Sequence, residues 1–252
     1  MKTLIIIPVL NEFHNLNELL RRIKKSLKET EFSILFIDDG SKDGTVEIIK
    51  TNQKKNKNIY LIQRKKRHWG CQRGSALQTG WRWGLRNKKF KYFVELDGDL
   101  SHRPEELKGL IKTVKTGCYD VVIASKYLVG SAILKRSRAR NCLSLASTII
   151  SRMLINCRIK DYSNGYRAYN RKAALFCNKL EFRYGSPIYL SEVLAYWIKA
   201  NFRIIEIPSI YVGRNDGLSK LRWVDAVKAL IALIEISFKY HYQSQIKETC
   251  IR

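Results

Sequence analysis

The sequence predicts an α/β fold, a mainly parallel sheet with helices on both of its faces. Short apolar runs of strand length alternate with segments whose apolar residues recur every three or four positions, the pattern of βαβ units. The runs are apolar throughout rather than at every second residue, as in strands buried on both faces. At 252 residues and 45% hydrophobic, the chain is long enough to bury roughly 70–75% of its unfolded surface.

The elements follow in order. Residues 3–9 (TLIIIPV) form the first strand, and Leu16, Leu19, Leu20, Ile23 and Leu27 define one face of the helix after it. FSILFI at 32–37 gives the second strand, which ends at Asp38-Asp39-Gly40-Ser41. Asp43-Gly44-Thr45 opens a short helix, where Ser41 or Asp43 can serve as a cap, and NIYLI at 58–62 gives the third strand. A helix over 74–87, a strand over 92–97, a helix from Pro104 and a strand over 120–125 continue the alternation. The second half is less regular: a helix over 138–156, an irregular stretch over 161–170, a helix over 188–200, a strand over 202–207 and a terminal helix over 222–242. In that last helix Trp223, Val227, Leu230, Ile231, Ile234 and Phe238 make one apolar face. Such a face suits either packing on the core or a place in a membrane interface. With no repeat or low-complexity linker, the expected organisation is one domain over 1–221, followed by a C-terminal amphipathic helix and tail over 222–252.

Lys and Arg number 47 against 22 Asp and Glu, a formal charge of +25. That excess calls for an acidic partner: nucleic acid, an anionic membrane surface or a phosphorylated substrate. The composition excludes disordered, collagen-like and disulfide-stapled classes. The six cysteines (71, 118, 142, 157, 177 and 250) include no C-x-x-C pair, so neither zinc nor a disulfide framework is indicated. No secretory signal opens the sequence, and the thiols read as reduced and intracellular. No apolar run reaches the roughly 18 residues of a membrane span.

Ligands of open parallel sheets bind at the carboxyl ends of the strands, and the unusual polar clusters fall there. Pro8, Asn11 and Glu12 follow the first strand, Asp38 and Asp39 the second, and Asp97-Gly98-Asp99 the fourth. Asp97 and Asp99, at i and i+2, project to one side of an extended chain, and Gly98 leaves room for a ligand to approach the backbone. Two hard oxygen donors with open positions suit Mg²⁺ or Mn²⁺ shared with a diphosphate. The basic and aromatic segment 64–86 has the composition of a nucleic-acid surface, but it reads here as a solvated face or a membrane contact. His102, at a helix entry, reads as a capping or supporting residue.

Taken in order, IPVLNE (7–12), IDDGSKDGT (37–45), ELDGDLSHRPEEL (95–107), SKY (125–127), DYSNGYRAY (161–169) and GRNDGLSKL (213–221) resemble the family 2 glycosyltransferases. These have a GT-A, Rossmann-like fold. More narrowly, the set is similar to the polyprenyl-phosphate mannosyltransferases. The resemblance implies an inverting hexosyltransferase that moves mannose from GDP-mannose onto a polyprenyl or dolichyl monophosphate. UDP-glucose or another donor, used on a lipid phosphate or a saccharide hydroxyl, is the alternative. A non-catalytic nucleic-acid-binding protein is a remote one, disfavoured because carboxylates at the strand ends repel phosphate.

The resemblance also implies roles. Pro8, Leu10, Glu12 and Ile37 would line the nucleotide sugar, with Asp38 and Asp39 facing base and ribose. Asp97, Gly98 and Asp99 would hold metal and sugar diphosphate, and Lys126, Arg214 and Lys220 would hold phosphate. Asp97, Asp99, Arg214 and Lys220 form the implied catalytic set; Asp161, Ser163 and Arg167 are its acceptor-side positions. Three departures stand out: Leu10 where the family has Tyr, Lys126 where it has Arg, and no arginine beside Ser144-Leu145, where Arg136, Arg138 or Arg140 could substitute. A lipid phosphate is already anionic, whereas a hydroxyl acceptor would need a carboxylate base, with Asp161 or Glu192 as candidates. The remaining basic runs, Arg64 to Arg67, Lys88 to Lys91 and Lys135 to Arg140, are left for an anionic membrane. The expected location is therefore peripheral, on the cytoplasmic face of a membrane; a membrane-anchoring subunit is unknown.

Overall fold

The computed structural model describes residues 1–64, 73–180, 182, 184, 188–213, 230–238, 240 and 241. Its strands are β1 (Lys2–Val9), β2 (Phe32–Asp38), β3 (Ile59–Gln63), β4 (Phe90–Glu95), β5 (Val121–Ser125), β6 (Ala132–Leu134), β7 (Arg167–Asn170), β8 (Ile204–Pro208) and β9 (Ile210–Val212). Among the described residues one sheet runs in the order β3-β2-β1-β4-β7-β5-β8, and β6 pairs with β9 in a small second sheet. Every neighbouring pair in the large sheet is parallel except the two that β7 makes.

The helices are α1 (Phe13–Ser26), α2 (Thr45–Lys55), α3 (Arg73–Leu85), α4 (Leu107–Lys115), α5 (Arg138–Leu154), α6 (Arg171–Asn178) and α7 (Tyr189–Lys199). Alternate side chains of β1 serve two cores. Ile5, Ile7 and Val9 pack with α1, α2 and α4, and Leu4 and Ile6 with α3, α6 and α7. This explains the uninterrupted apolar run: a strand covered on both sides has no solvent face. Each such side chain, fully removed from water, stabilises the fold by about 1.5–3 kcal/mol. The expected fold, with helices on both faces, is what forms.

Besides β6, β9 and α6, which the sequence reading does not name, two parts differ from it. The stretch expected to be irregular, 161–170, ends in β7, which runs antiparallel between β4 and β5 with Glu95 opposite Arg167 and Ile123 opposite the same residue. Four residues, RAYN, carry too little periodicity to announce a strand. The Asn170 side chain then accepts from Ala173 N at 3.0 Å and caps α6. The second difference lies in the terminal helix. Residues 230–238 are helical, but their buried side is Ala232, Leu233, Ile236 and Ser237, while Leu230, Ile231, Ile234 and Phe238 are exposed. The apolar face read from the sequence therefore points outward. Trp223, Val227 and the expected boundary at 221/222 lie outside the described residues. No described helix is long and apolar enough to cross a membrane.

Candidate active site

The parallel strands all end on one edge of the large sheet, and β7, running the other way, begins there. That edge collects the loops after β1, β2, β4 and β5, Arg64 at the end of β3, and the loop before β7. The first two are tied together through side chains. Asn11, in the left-handed region at φ 56°, donates its N–H to Ser41 Oγ at 2.9 Å and accepts from Lys42 N. Glu12 N donates to Thr45 Oγ1 at 2.8 Å. Leu10 stands exposed at this rim and Pro8 is half-buried. Ile37 is wholly buried within β2, so its side chain faces the core and not a ligand.

The two aspartates after β2 differ. Asp38 is buried and its carboxylate accepts from the Gly40 and Ser41 N–H groups, building the turn itself. Asp39 pairs with Arg64, whose Nε lies 2.6 Å from Asp39 Oδ1 and whose Nη1 donates to Ser75 Oγ at 2.8 Å. Arg64 was grouped by sequence with the membrane-facing cations; it belongs instead to this edge. Trp81, in the same basic and aromatic segment, is fully buried against Tyr169 and Phe182, so it is core rather than a solvated or membrane-facing residue.

β4 stops at Glu95, and the chain then turns, with Leu100 at φ 61°. Asp97 and Asp99 thus sit on a bend, not on an extended segment as their spacing suggested. Gly98 approaches the end of β1 so closely that a Cβ would lie 3.0 Å from Val9 Cγ1 and 3.4 Å from Glu12 Cγ. Its missing side chain admits neighbouring protein rather than a ligand. Asp99 Oδ1 accepts from Ser101 N at 3.0 Å. Asp97 receives Arg73 Nε at 2.7 Å on Oδ1, and its N–H donates to Nδ1 of buried His102 at 3.2 Å. Burial lowers the His102 pKa against the pull of Asp97. A neutral ring accepting at Nδ1 carries its proton on Nε2, which lies 3.6 Å from Asp97 Oδ2.

Arg73, which the sequence reading did not single out, is the hub of this edge. Besides Asp97 it donates to Tyr189 OH at 3.1 Å and to the Gly165 carbonyl at 3.1 Å, and it lies 3.9 Å from Glu95. Burial works against its charge, but Asp97, Tyr189 and Glu95 outweigh that and hold its pKa above the usual guanidinium value. Glu95 is buried, accepts from Tyr169 OH and Tyr189 OH, and has its pKa raised by desolvation. The signal for Arg73 was weak, a single arginine in a segment rich in them.

On the opposite side of the edge, Lys126 N donates to Asp161 Oδ2 at 3.0 Å, and its Nζ donates to Ser163 Oγ at 2.7 Å and lies 3.6 Å from Asp161 Oδ1. Burial lowers the Lys126 pKa in spite of Asp161. Lys126, expected to hold phosphate, thus sits with Asp161 and Ser163, the positions that the resemblance gives to the acceptor. Ser163 continues through Ser144 Oγ at 2.8 Å to Tyr127 OH. Asp161 has no exposure and also accepts from the Ser163 and Asn164 N–H groups, so it organises the loop.

Arg167 departs from its expected acceptor role. It is wholly buried and donates to the carbonyls of Asn164, Leu190 and Tyr162, which removes it from any acceptor-facing surface. Glu192 lines a separate cavity of about 190 Å³ between α7 and residues 230–240, with Tyr184, Tyr196, Lys199 and Glu235, and shares none of the strand-end residues. Arg214 and Lys220 lie outside the described residues. Of the described residues before them, Gly213 donates its N–H to Leu134 O at 2.7 Å and Val212 donates to Ser101 O at 3.0 Å.

Among the described residues, no three His, Cys, Asp or Glu side chains stand close enough to hold a metal unaided. Asp97 and Asp99 are half-buried and offer hard oxygens at the rim. That donor set fits an ion that takes its remaining ligands from water and phosphates.

The mainly parallel sheet with helices on both faces and polar loops gathered where its strands end is the GT-A glycosyltransferase fold. The structure is similar, at a TM-score of 0.67 and 14% identity, to glucosyl-3-phosphoglycerate synthase from Mycobacterium tuberculosis in complex with Mn²⁺, UDP and glucosyl-3-phosphoglycerate, over 95% of this chain and 79% of that one. It is also similar, at 0.59 and 16% identity, to a mannosyltransferase from Pyrobaculum calidifontis in complex with GDP-Man and Mn²⁺, over 97% and 75% of the two chains. The chain belongs to glycosyl transferase family 2, whose profile matches residues 4–176. It is 31% identical to the undecaprenyl-phosphate mannosyltransferase of Micrococcus luteus, over 88% of each chain. It is also 31% identical to the polyprenol monophosphomannose synthase of Mycolicibacterium smegmatis, over 93% of this chain and 86% of that one.

Proposed function

We propose that the chain transfers mannose from GDP-mannose to a polyprenyl monophosphate, with inversion at the anomeric carbon. The observation that carries this is the meeting, on one sheet edge, of the Asp97–Asp99 loop with the Lys126–Ser163–Asp161 cluster. The two relatives at 31% identity, one named an undecaprenyl-phosphate mannosyltransferase and the other a polyprenol monophosphomannose synthase, support it.

The loops after β1 and β2 would receive the nucleotide, with Asp39 set by Arg64. Asp97 and Asp99 would hold Mg²⁺ or Mn²⁺, which when bound supplies Lewis-acid stabilisation of the departing diphosphate. Arg214 and Lys220 are assigned to that diphosphate by resemblance. On the other side, Lys126 and Ser163 would orient the acceptor phosphate, whose oxygen attacks the anomeric carbon. The glycosidic C–O bond breaks, and its electron pair leaves with the diphosphate. The acceptor is anionic at neutral pH, so no base has to remove a proton, in keeping with an Asp161 that is already fully engaged. The surplus of the +25 charge suits an anionic membrane that presents the lipid.

The test is incubation with a panel of nucleotide sugars, a short-chain polyprenyl phosphate and Mg²⁺ or Mn²⁺. Lipid-linked mannose of inverted configuration from GDP-mannose, lost in Asp99→Asn and in EDTA, is expected. Transfer from UDP-sugars alone, a retained configuration, or full activity in EDTA would overturn the reading.

A further inference from the structure

β6 and β9, three residues each, stand apart from the main sheet. Ile133 pairs with Tyr211, and Leu134 with Val212. The chain then turns at Lys135, in the left-handed region at φ 51°. It turns so close to the end of β9 that a Cβ on Gly213 would stand 2.9 Å from Arg136 Cα. The small sheet therefore fixes Arg136 beside Tyr211.

At Tyr211 the two sides of the active-site edge meet. From the side of the Asp97–Asp99 loop, the His102 ring meets the Tyr211 ring edge to face, at 6.0 Å and 71°. His102 also stacks on Tyr166 at 4.9 Å and accepts the Asp97 N–H. From the other side, Lys126 Nζ lies 5.6 Å from the centre of the Tyr211 ring and Arg136 Cζ lies 5.1 Å from it. Both distances are within the reach of a cation–π attraction. Arg136 Nη1 also comes 3.5 Å from Asn141 Oδ1 of α5.

On this second side the charges do not cancel. Lys126 Nζ has Asp161 at 3.6 Å, and Arg136 brings a further positive charge to the same ring. Burial is the main cause of the lowered Lys126 pKa, and Arg136 adds to it against the pull of Asp161. The two cations thus repel each other while sharing one aromatic support. A phosphate monoester, with roughly −1.5 to −2 charge at neutral pH, meets both at once. Of the three arginines offered by the sequence in place of the one missing beside Ser144, Arg138 is exposed, and Arg136 is held at this ring.

We infer that Tyr211 is a positioning residue, whose ring carries Lys126 and Arg136 as one binding pair for the acceptor phosphate and ties that pair through His102 to the Asp97 loop. This deepens the proposed function, on which the identity of the phosphate rests. One ring then sets both the spacing of the two cations and their place relative to the donor side.

The test is calorimetric titration of the full chain with a water-soluble, short-chain polyprenyl phosphate in the absence of donor, with mannose transfer measured separately. Tyr211→Leu, which removes the ring, should weaken binding about tenfold. Tyr211→Phe keeps the ring and should restore binding to within about twofold of wild type. Arg136→Gln should weaken binding about fivefold. Combining it with Tyr211→Leu should add less than about twofold to the loss from Tyr211→Leu alone. In the transfer assay, Tyr211→Leu should raise the KM for the polyprenyl phosphate and lower kcat, yet leave the KM for GDP-mannose unchanged. A general loss of folding would not give that split. Equal affinity in wild type and Tyr211→Leu, or equal losses in Tyr211→Leu and Tyr211→Phe, would overturn the inference. So would fully multiplied effects in the double variant. Should Tyr211→Leu melt well below wild type, Arg136→Gln at its half-buried loop position decides, and unchanged binding there overturns the inference. The expected binding pattern without mannose transfer would sink the proposed function and leave Tyr211 in this role.

Discussion

Arg73 Nε donates to Asp97 Oδ1 at 2.7 Å, so a carboxylate assigned to the metal already holds a cation of the chain's own. A divalent ion at Asp97 has to compete with that guanidinium. Arg73→Gln should therefore bind Mn²⁺ more tightly than wild type without nucleotide, as read by the loss of the free Mn²⁺ signal in electron paramagnetic resonance. The same variant should lose about 2–4 kcal/mol of stability in urea, because buried Glu95 loses a neighbouring cation. Unchanged Mn²⁺ affinity would remove the competition.

Gly165 fixes where Arg73 lies. A Cβ there would stand 2.1 Å from Arg73 Nη1, an overlap only a displaced guanidinium relieves. Gly165→Ala is expected to reproduce the Mn²⁺ affinity of the Arg73 variant while leaving Arg73 in the sequence. An affinity equal to wild type would mean that the guanidinium moves aside without releasing Asp97.

Asp161 holds its loop together and compensates a buried lysine. Asp161→Asn should cost about 3–5 kcal/mol in chemical denaturation, since Lys126 is left buried without its counter-charge. Ser163→Ala, which removes the neutral hydroxyl bonded to Lys126 Nζ, Ser144 and Asp161 but keeps the charge pair, should cost less, about 1–2 kcal/mol. Equal losses in the two would deny Asp161 this role.

Arg64 positions Asp39 and Ser75 but is remote from the acceptor-side cluster in the chain's connectivity. Arg64→Ala should raise the KM for the nucleotide sugar by about tenfold and change kcat little, the pattern of lost uniform binding. A fall in kcat at constant KM would place it in the transition state instead.

Glu206 sets a pH dependence of known sign. Its carboxylate accepts from Lys160 N and Asp161 N, and burial raises its pKa above the usual 4.5. A group with a raised folded pKa contributes stability below its unfolded pKa and loses it as pH rises through the folded one. The melting-temperature advantage of wild type over Glu206→Gln should thus shrink between pH 4.5 and neutrality. An advantage that grows with pH over that range would reverse the sign.

Much of this was legible in the sequence, for identifiable reasons. TLIIIPV and FSILFI are apolar on both faces because both faces of β1 and β2 are covered, and the strand-end aspartates stand out because such runs end abruptly in charge. What stayed hidden depends on tertiary context. RAYN is a strand only because β4 and β5 lie on either side of it. Arg64 and Arg73 are lost in a basic segment until folding brings Asp39 and Asp97 to them. Periodicity found the stripe at Leu230, Ile231, Ile234 and Phe238, but it cannot say which side of a helix faces water, and here it is the stripe.

The reversed strand β7 has a consequence for how such a transferase can change over time. Residues 126–166 leave from the end of β5 and return at the start of β7, and Ile123 and Arg167 face each other across that closure. The excursion contains α5 and the Lys126, Asp161 and Ser163 cluster that the proposed function gives to the acceptor, but none of the loops that it gives to the donor. Its ends are clasped, and it touches the Asp97 side at Gly165, whose carbonyl accepts from Arg73, so on the proposed function an exchange for the matching piece of a relative that keeps Gly165 should alter what receives the sugar and spare the machinery that delivers it. On the proposed function, acceptor choice and donor choice are then separable by descent.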